Sequence, residues 1–131
     1  YPQSDRVENF RKINTELTER LHEKAYLNAY TYYKTGKYKS AIVAFKNALK
    51  QYPESKRREE IMYLIVDSGY RLASNSISEK QTDRYLSMLD SYLSFKEEFP
   101  ESKYTKEVDR MAKEAKDYLA KNQKNDTQDG N

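Results

Sequence analysis

The chain has no cysteine, which removes disulfides, thiolate metal sites and cysteine nucleophiles together and leaves both a reducing and an oxidising compartment open. It has a single histidine, His22, set among charged residues, so no acid/base or nucleophilic constellation can be assembled around an imidazole. No Gly-rich phosphate loop and no metal-ligand spacing occurs. The adjacent carboxylates Glu59 and Glu60, and likewise Glu97 and Glu98, diverge by about 100° on a helix and cannot share a substrate or an ion. These absences point away from an enzyme and from any cofactor or metal. No apolar run approaches the roughly 18 residues of a membrane span. The formal charge of +3 comes from 24 basic and 21 acidic residues that are interleaved, so no face is set aside for phosphates and a nucleic-acid partner is not expected.

What is present is helix. Glycine and proline occupy three positions each out of 131, and no strong breaker stands between Pro2 and Gly36. Phe10, Ile13, Leu17 and Leu21 form one stripe of an amphipathic helix, with Arg11, Lys12, Glu16, Glu19 and Arg20 on the wet side. The track continues through Ala25, Ala29 and Tyr32, and periodicity leaves open whether residues 5–35 are one helix or two meeting near His22. Gly36 suits the left-handed conformation at a helix end. A second helix then carries Tyr38, Ala41, Ile42, Phe45, Ala48, Leu49 and Tyr52. A third carries Ile61, Leu64, Ile65 and Leu72, and a fourth Leu86, Leu89, Leu93 and Phe99 or its neighbours. A fifth, over residues 104–120, carries Val108, Met111, Ala115 and Leu119. The Ser/Asn-rich run from Ala73 to about Thr82 reads as a longer surface loop. Residues 122–131 have nothing to bury and are expected to be disordered.

All three prolines sit in one recurring phrase: "YPQS" at the start, "KQYPESK" from Lys50 and "EEFPESK" from Glu97. The aromatic closes one helix, proline forbids its continuation, and the serine can cap the next. Punctuation that recurs in this way predicts a stack of helical hairpins. A start on "YPQS", the second half of such a boundary, reads as a cut through a longer array.

Residues 22–55 fit a 34-residue tetratricopeptide template. Ala29 is the small residue at the close crossing of the two helices, with Tyr32 the aromatic one turn on. Ala41, Phe45 and Ala48 are the small, large, small trio of the second helix, and Pro53 ends it. Ala25 and Asn28 depart from the template, standing where a large aromatic and a leucine are usual. Residues 56–100 form an irregular repeat closed by Pro100, and a terminal helix follows. The expected fold is therefore an all-α tetratricopeptide-type hairpin array, an α-solenoid of about five helices over residues 1–121.

With its YPxS boundaries, its insertion in the last repeat and "YLSFKEEFPESKY" near the end, the chain resembles the C-terminal half of the BamD-type lipoproteins of outer-membrane β-barrel assembly. The resemblance implies a non-enzymatic adaptor at the periplasmic face of the outer membrane. Its implied partners are the POTRA domains of the barrel-inserting subunit and other assembly lipoproteins. Membrane contact would come only through a lipid anchor that this sequence does not contain. The rival is a peptide-binding helical domain accessory to a cytosolic enzyme or signalling protein.

Candidate contact residues fall in two groups. Tyr26, Tyr30 and Tyr33, at i, i+4 and i+7, form a second stripe beside Ala25, Ala29 and Tyr32, and in tetratricopeptide architecture that stripe faces the groove, with Lys34 able to meet a carboxylate. The same stripe would equally serve to pack against the preceding segment from Phe10 to Leu21. Lys46 and Lys50, one turn apart on the opposite face of the second helix, offer charge to an acidic partner or simply solubilise the surface.

Overall fold

A computed structural model describes the backbone of residues 2–129 and the side chains of residues 4–123. Five helices follow one another among the described residues: α1 (Pro2–Lys34), α2 (Tyr38–Gln51), α3 (Arg58–Ser74), α4 (Ser78–Glu98) and α5 (Thr105–Asp129). The all-α hairpin array read from the sequence is what forms. α1 is one unbroken helix of 33 residues, which answers the question periodicity left open.

α1 ends as its glycine dictates. Gly36 takes φ +80°, and the N–H of Lys37 reaches back to the Tyr32 carbonyl at 2.9 Å, closing the last turn with a six-residue return. The two proline phrases produce the same local geometry twice. Tyr52 and Phe99 leave their helices at φ −132° and −129° with ψ 67°, and each N–H still bonds the carbonyl four residues back, on Ala48 and Phe95. The serine of each phrase then builds a turn rather than capping the helix directly. Ser55 Oγ accepts from the N–H of Arg57 at 3.2 Å, and Ser102 Oγ accepts from that of Tyr104 at 3.1 Å. The cap position of α3 is Arg57, so Ser55 acts two residues earlier than expected.

The Ser/Asn-rich run is a correction to the expected long loop. The connection is only residues 75–77, and α4 begins at Ser78. The polar side chains are used on the exposed carbonyls at the end of α3: Asn75 Nδ2 donates to Arg71 at 2.9 Å, Ser76 Oγ to Leu72 at 2.5 Å, and Gln81 Nε2 to Ala73 at 3.1 Å. Beyond the boundary expected at residue 121, the described backbone of α5 continues as helix to Asp129. Extending an established helix costs far less than starting one, and the next breaker is Gly130. Residues 130 and 131 lie outside the described set.

α3 lies at the centre of the stack and is buried on nearly every side. Ile61, Leu64 and Ile65 join Tyr26, Ala29, Ala41 and Phe45 in one core cluster with α1 and α2. Met62, Val66 and Ala73 join Tyr85, Met88, Phe95, Val108 and Met111 in a second cluster with α4 and α5. Ala48 is buried as well, as the template requires. On α4 the buried stripe is Tyr85, Met88 and Phe95, not the expected Leu86, Leu89 and Leu93. Leu86 and Leu93 are exposed and Leu89 is only partly covered. A close approach of α3 and α4 at Gly69 favours this register, because a Cβ placed there would lie 3.2 Å from Met88 Cβ.

Candidate protein-docking site

The tyrosine stripe of α1 turns toward α3. Tyr26 is 5% exposed, and its hydroxyl donates to Glu60 Oε1 at 2.7 Å. Tyr33 donates to the Asp67 carboxylate, which also accepts from Arg71 Nε at 2.9 Å. Arg57 makes a two-pronged bond to Glu23, with both N–O distances 2.8 Å, and stacks its guanidinium 4.1 Å above the Tyr26 ring. Each of these three pairs joins residues 34 positions apart, so a residue in one repeat meets its counterpart in the next. The tetratricopeptide spacing is thereby visible as hydrogen bonds. From α3 to α5 the offset grows to 43 and 44, in Ser102 to Glu59 and Tyr70 to Glu114, because the second hairpin is longer.

These contacts redefine the tyrosine candidates. Tyr26 packs in the core, with 5% of its surface exposed, so it offers a partner far less area than Tyr30 or Tyr33. The stripe's packing partner is also not the segment from Phe10 to Leu21, which belongs to the same continuous helix, but α3. Burial first, and then hydrogen bonding to a carboxylate, pushes the phenols of Tyr26 and Tyr33 well above the ordinary tyrosine range. Tyr30 and Tyr33 remain half-buried and Lys34 is exposed. The adjacent Glu59 and Glu60 do diverge: Glu59 accepts from Ser102 at 2.5 Å, while Glu60 turns to Tyr26 and Arg57. His22 lies face-tilted against Tyr52, ring centres 4.1 Å apart, as a packing residue at the α1–α2 seam.

Several clefts open elsewhere, among them two of contrasting character. One, of about 520 Å³, lies between α1 and the turn before α3 and is lined by Glu19, Glu23, Lys56 and Arg57. Four of its charges are paired, Arg57 with Glu23 and Lys56 with Glu19 at 3.4 Å. The other is a groove over α3 bounded by α2 and α4. Its wider part, about 340 Å³, has Leu49, Met62 and Ile65 below and Ser87, Ser91 and Ser94 along one wall. It continues into a narrower part of about 130 Å³ over Gly69 and Leu72, where Arg84 enters. Lys46 borders both parts. Lys50 is exposed one turn away and does not line the groove. Sequence reasoning found Lys46 but missed Arg84 and the serines. The spacing of Ser87, Ser91 and Ser94 by four and three residues puts them on one helix face, yet such a face reads as ordinary wet surface until a second helix stands opposite.

The N-terminal half of α1 carries a further surface. Phe10, Ile13, Leu17 and Leu21, the stripe read from the sequence, are exposed together with Val7, Phe10 to 71%, and none of the described residues covers them.

A family model described as outer membrane lipoprotein, YfiO, matches residues 6–125. The chain belongs to the YfiO family of outer-membrane lipoproteins. No curated protein matches it closely enough to be compared. Membership agrees with the BamD-type resemblance carried by the proline phrases and the 34-residue repeat, and it associates the chain with the outer membrane. Among the described residues no helix is long and apolar enough to cross a membrane.

Proposed function

We propose that this YfiO-family chain is a non-enzymatic adaptor of outer-membrane β-barrel assembly, working at the periplasmic face and docking the soluble POTRA domains of the barrel-inserting subunit. The observation that carries the reading is the family match over residues 6–125, nearly the whole helical array. The fold supports it: a stack of hairpins tied across repeats by Tyr26 to Glu60, Tyr33 to Asp67 and Arg57 to Glu23 is a stiff support for docking surfaces. An outer-membrane family favours this reading over a cytosolic accessory domain. The test is co-purification from detergent-solubilised envelopes with the tagged protein as bait. Recovery of the POTRA-bearing subunit, persisting after high-salt washing, is the expected result. Its absence under conditions where the bait is folded and abundant overturns the proposal.

A further inference from the structure

The groove between α2 and α4 combines three features that no intramolecular contact explains. Its floor is apolar, formed by Leu49, Met62 and Ile65. Two cations border it, and neither meets a carboxylate among the described residues: Lys46 forms no ion pair, and Arg84 donates only to the neutral hydroxyl of Ser76. Elsewhere the arginines of α3 and the turn before it are taken up, Arg57 by Glu23 and Glu60, Arg58 by Glu98 and Arg71 by Asp67. The groove's wall, Ser87, Ser91 and Ser94, is short-chained and carries hydroxyls able to donate and accept.

The charges are also distributed unevenly. Asp90, the carboxylate that borders the groove, lies along the wider part. The narrow part has Lys46 and Arg84 and no carboxylate. An entering chain thus meets an apolar floor at one end and a positive, more enclosed pocket at the other. From Arg84 to Ser94 the α4 wall spans ten residues, about 15 Å of helix rise. That length accommodates about four or five residues of extended backbone at roughly 3.3 Å each. The serine hydroxyls lie where backbone amides and carbonyls of such a segment would pass.

We infer that this groove is a docking site for an extended segment of a partner protein, one that lays an apolar side chain over Leu49 and Met62 and directs an aspartate or glutamate between Lys46 and Arg84. Charge complementarity selects the occupant, since a basic segment would meet Lys46 and Arg84 uncompensated. The inference rests on the adaptor reading in taking a protein as the partner, and it deepens that reading by naming the face and the chemistry of the contact.

The experiment is calorimetric titration of the intact chain with two probes. One is the purified POTRA region of the same organism's barrel-inserting subunit. The other is a blocked hexapeptide alternating phenylalanine and serine with one glutamate, compared with its glutamine counterpart. The variants are Lys46→Glu, Arg84→Glu and Ser91→Trp, the last filling the groove without changing charge, with Lys113→Glu on the exposed face of α5 as control. Circular dichroism confirms that each is folded. The expected result is a loss of at least tenfold in affinity for the POTRA region in all three groove variants, with the control within twofold of the parent. If the POTRA region binds and the groove variants bind it equally well, the groove inference falls and the adaptor reading stands. If the POTRA region does not bind at all, the adaptor reading loses its partner and the peptide decides the groove. Tenfold preference for glutamate over glutamine, lost in Lys46→Glu, supports the groove, and failure of both peptides overturns it.

Discussion

Phe45 and Phe10 are the same residue type on amphipathic helices, and the array gives them opposite fates. Phe45 is fully buried between Ala41 and Ala48, while Phe10 is 71% exposed. Phe45→Ala should cost about 3–5 kcal/mol, the range for a lost core aromatic, whereas Phe10→Ala should stay within about 0.5 kcal/mol. Urea denaturation of both variants checks the contrast, and a Phe45 loss below about 1 kcal/mol would mean that the repeat register is wrong. The tyrosines give a pH prediction. Burial, then hydrogen bonding to Asp109, raises the Tyr92 phenol to about 12, and the phenols of Tyr26 and Tyr33 are raised in the same direction. A phenol held neutral in the fold but free to ionise in the unfolded chain favours folding below the unfolded value of about 10. That contribution is lost as pH rises from about 10 through the folded values. The denaturation midpoint should therefore fall steeply above pH 10, and Tyr33→Phe should flatten the fall. A midpoint level from pH 9 to 11.5 would refute it.

The helices differ in how far the sequence disclosed them. α2 was legible because Ala41, Phe45 and Ala48 carry one apolar face with little competition from the others. α4 was not, because Tyr85, Leu86, Met88, Leu89, Tyr92, Leu93 and Phe95 offer apolar side chains on several faces. The choice among them is favoured by the close approach at Gly69 on α3, which no local pattern in α4 records. The connection before α4 was misread for a related reason: Asn75 and Ser76 have the composition of a loop but bond the final carbonyls of α3. The groove was the least legible feature, since it exists only where α2 and α4, distant in sequence, flank α3. The proline phrases at Pro53 and Pro100 stand at helix ends, and their role belongs to this scale. Pro53 and Pro100 each follow a residue at ψ 67° and start an identical serine-built turn, so they set the angle at which the next hairpin leaves. Pro53→Ala should leave helix content by circular dichroism nearly unchanged while broadening small-angle scattering and weakening POTRA binding. Pro100→Ala should weaken binding only if the terminal hairpin belongs to the interface. Unchanged scattering and affinity in both would show the punctuation to be redundant.

At the scale of the whole molecule, each helix is supported by its neighbours in the stack, and support is unevenly shared. α3 contributes to both core clusters and touches α2, α4 and α5. The first five turns of α1 contribute to neither, and Val7, Phe10, Ile13, Leu17 and Leu21 face outward uncovered. As an extension of the packed half of α1 this segment needs no nucleus of its own, but without tertiary packing each added residue gains little in water and the helix frays from its free end. In a nearest-neighbour stack the stability of a segment tracks the interfaces that it shares. Amide hydrogen exchange should therefore rank α3 slowest, with residues 61–73 exchanging only through global unfolding, and residues 5–20 faster by several orders of magnitude. Protection across residues 5–20 that rises with protein concentration would mean that a second copy covers the stripe. Protection equal to that of α3 in dilute solution would contradict the nearest-neighbour description itself, since it would require stabilisation of α1 from a source other than the helices packed against it.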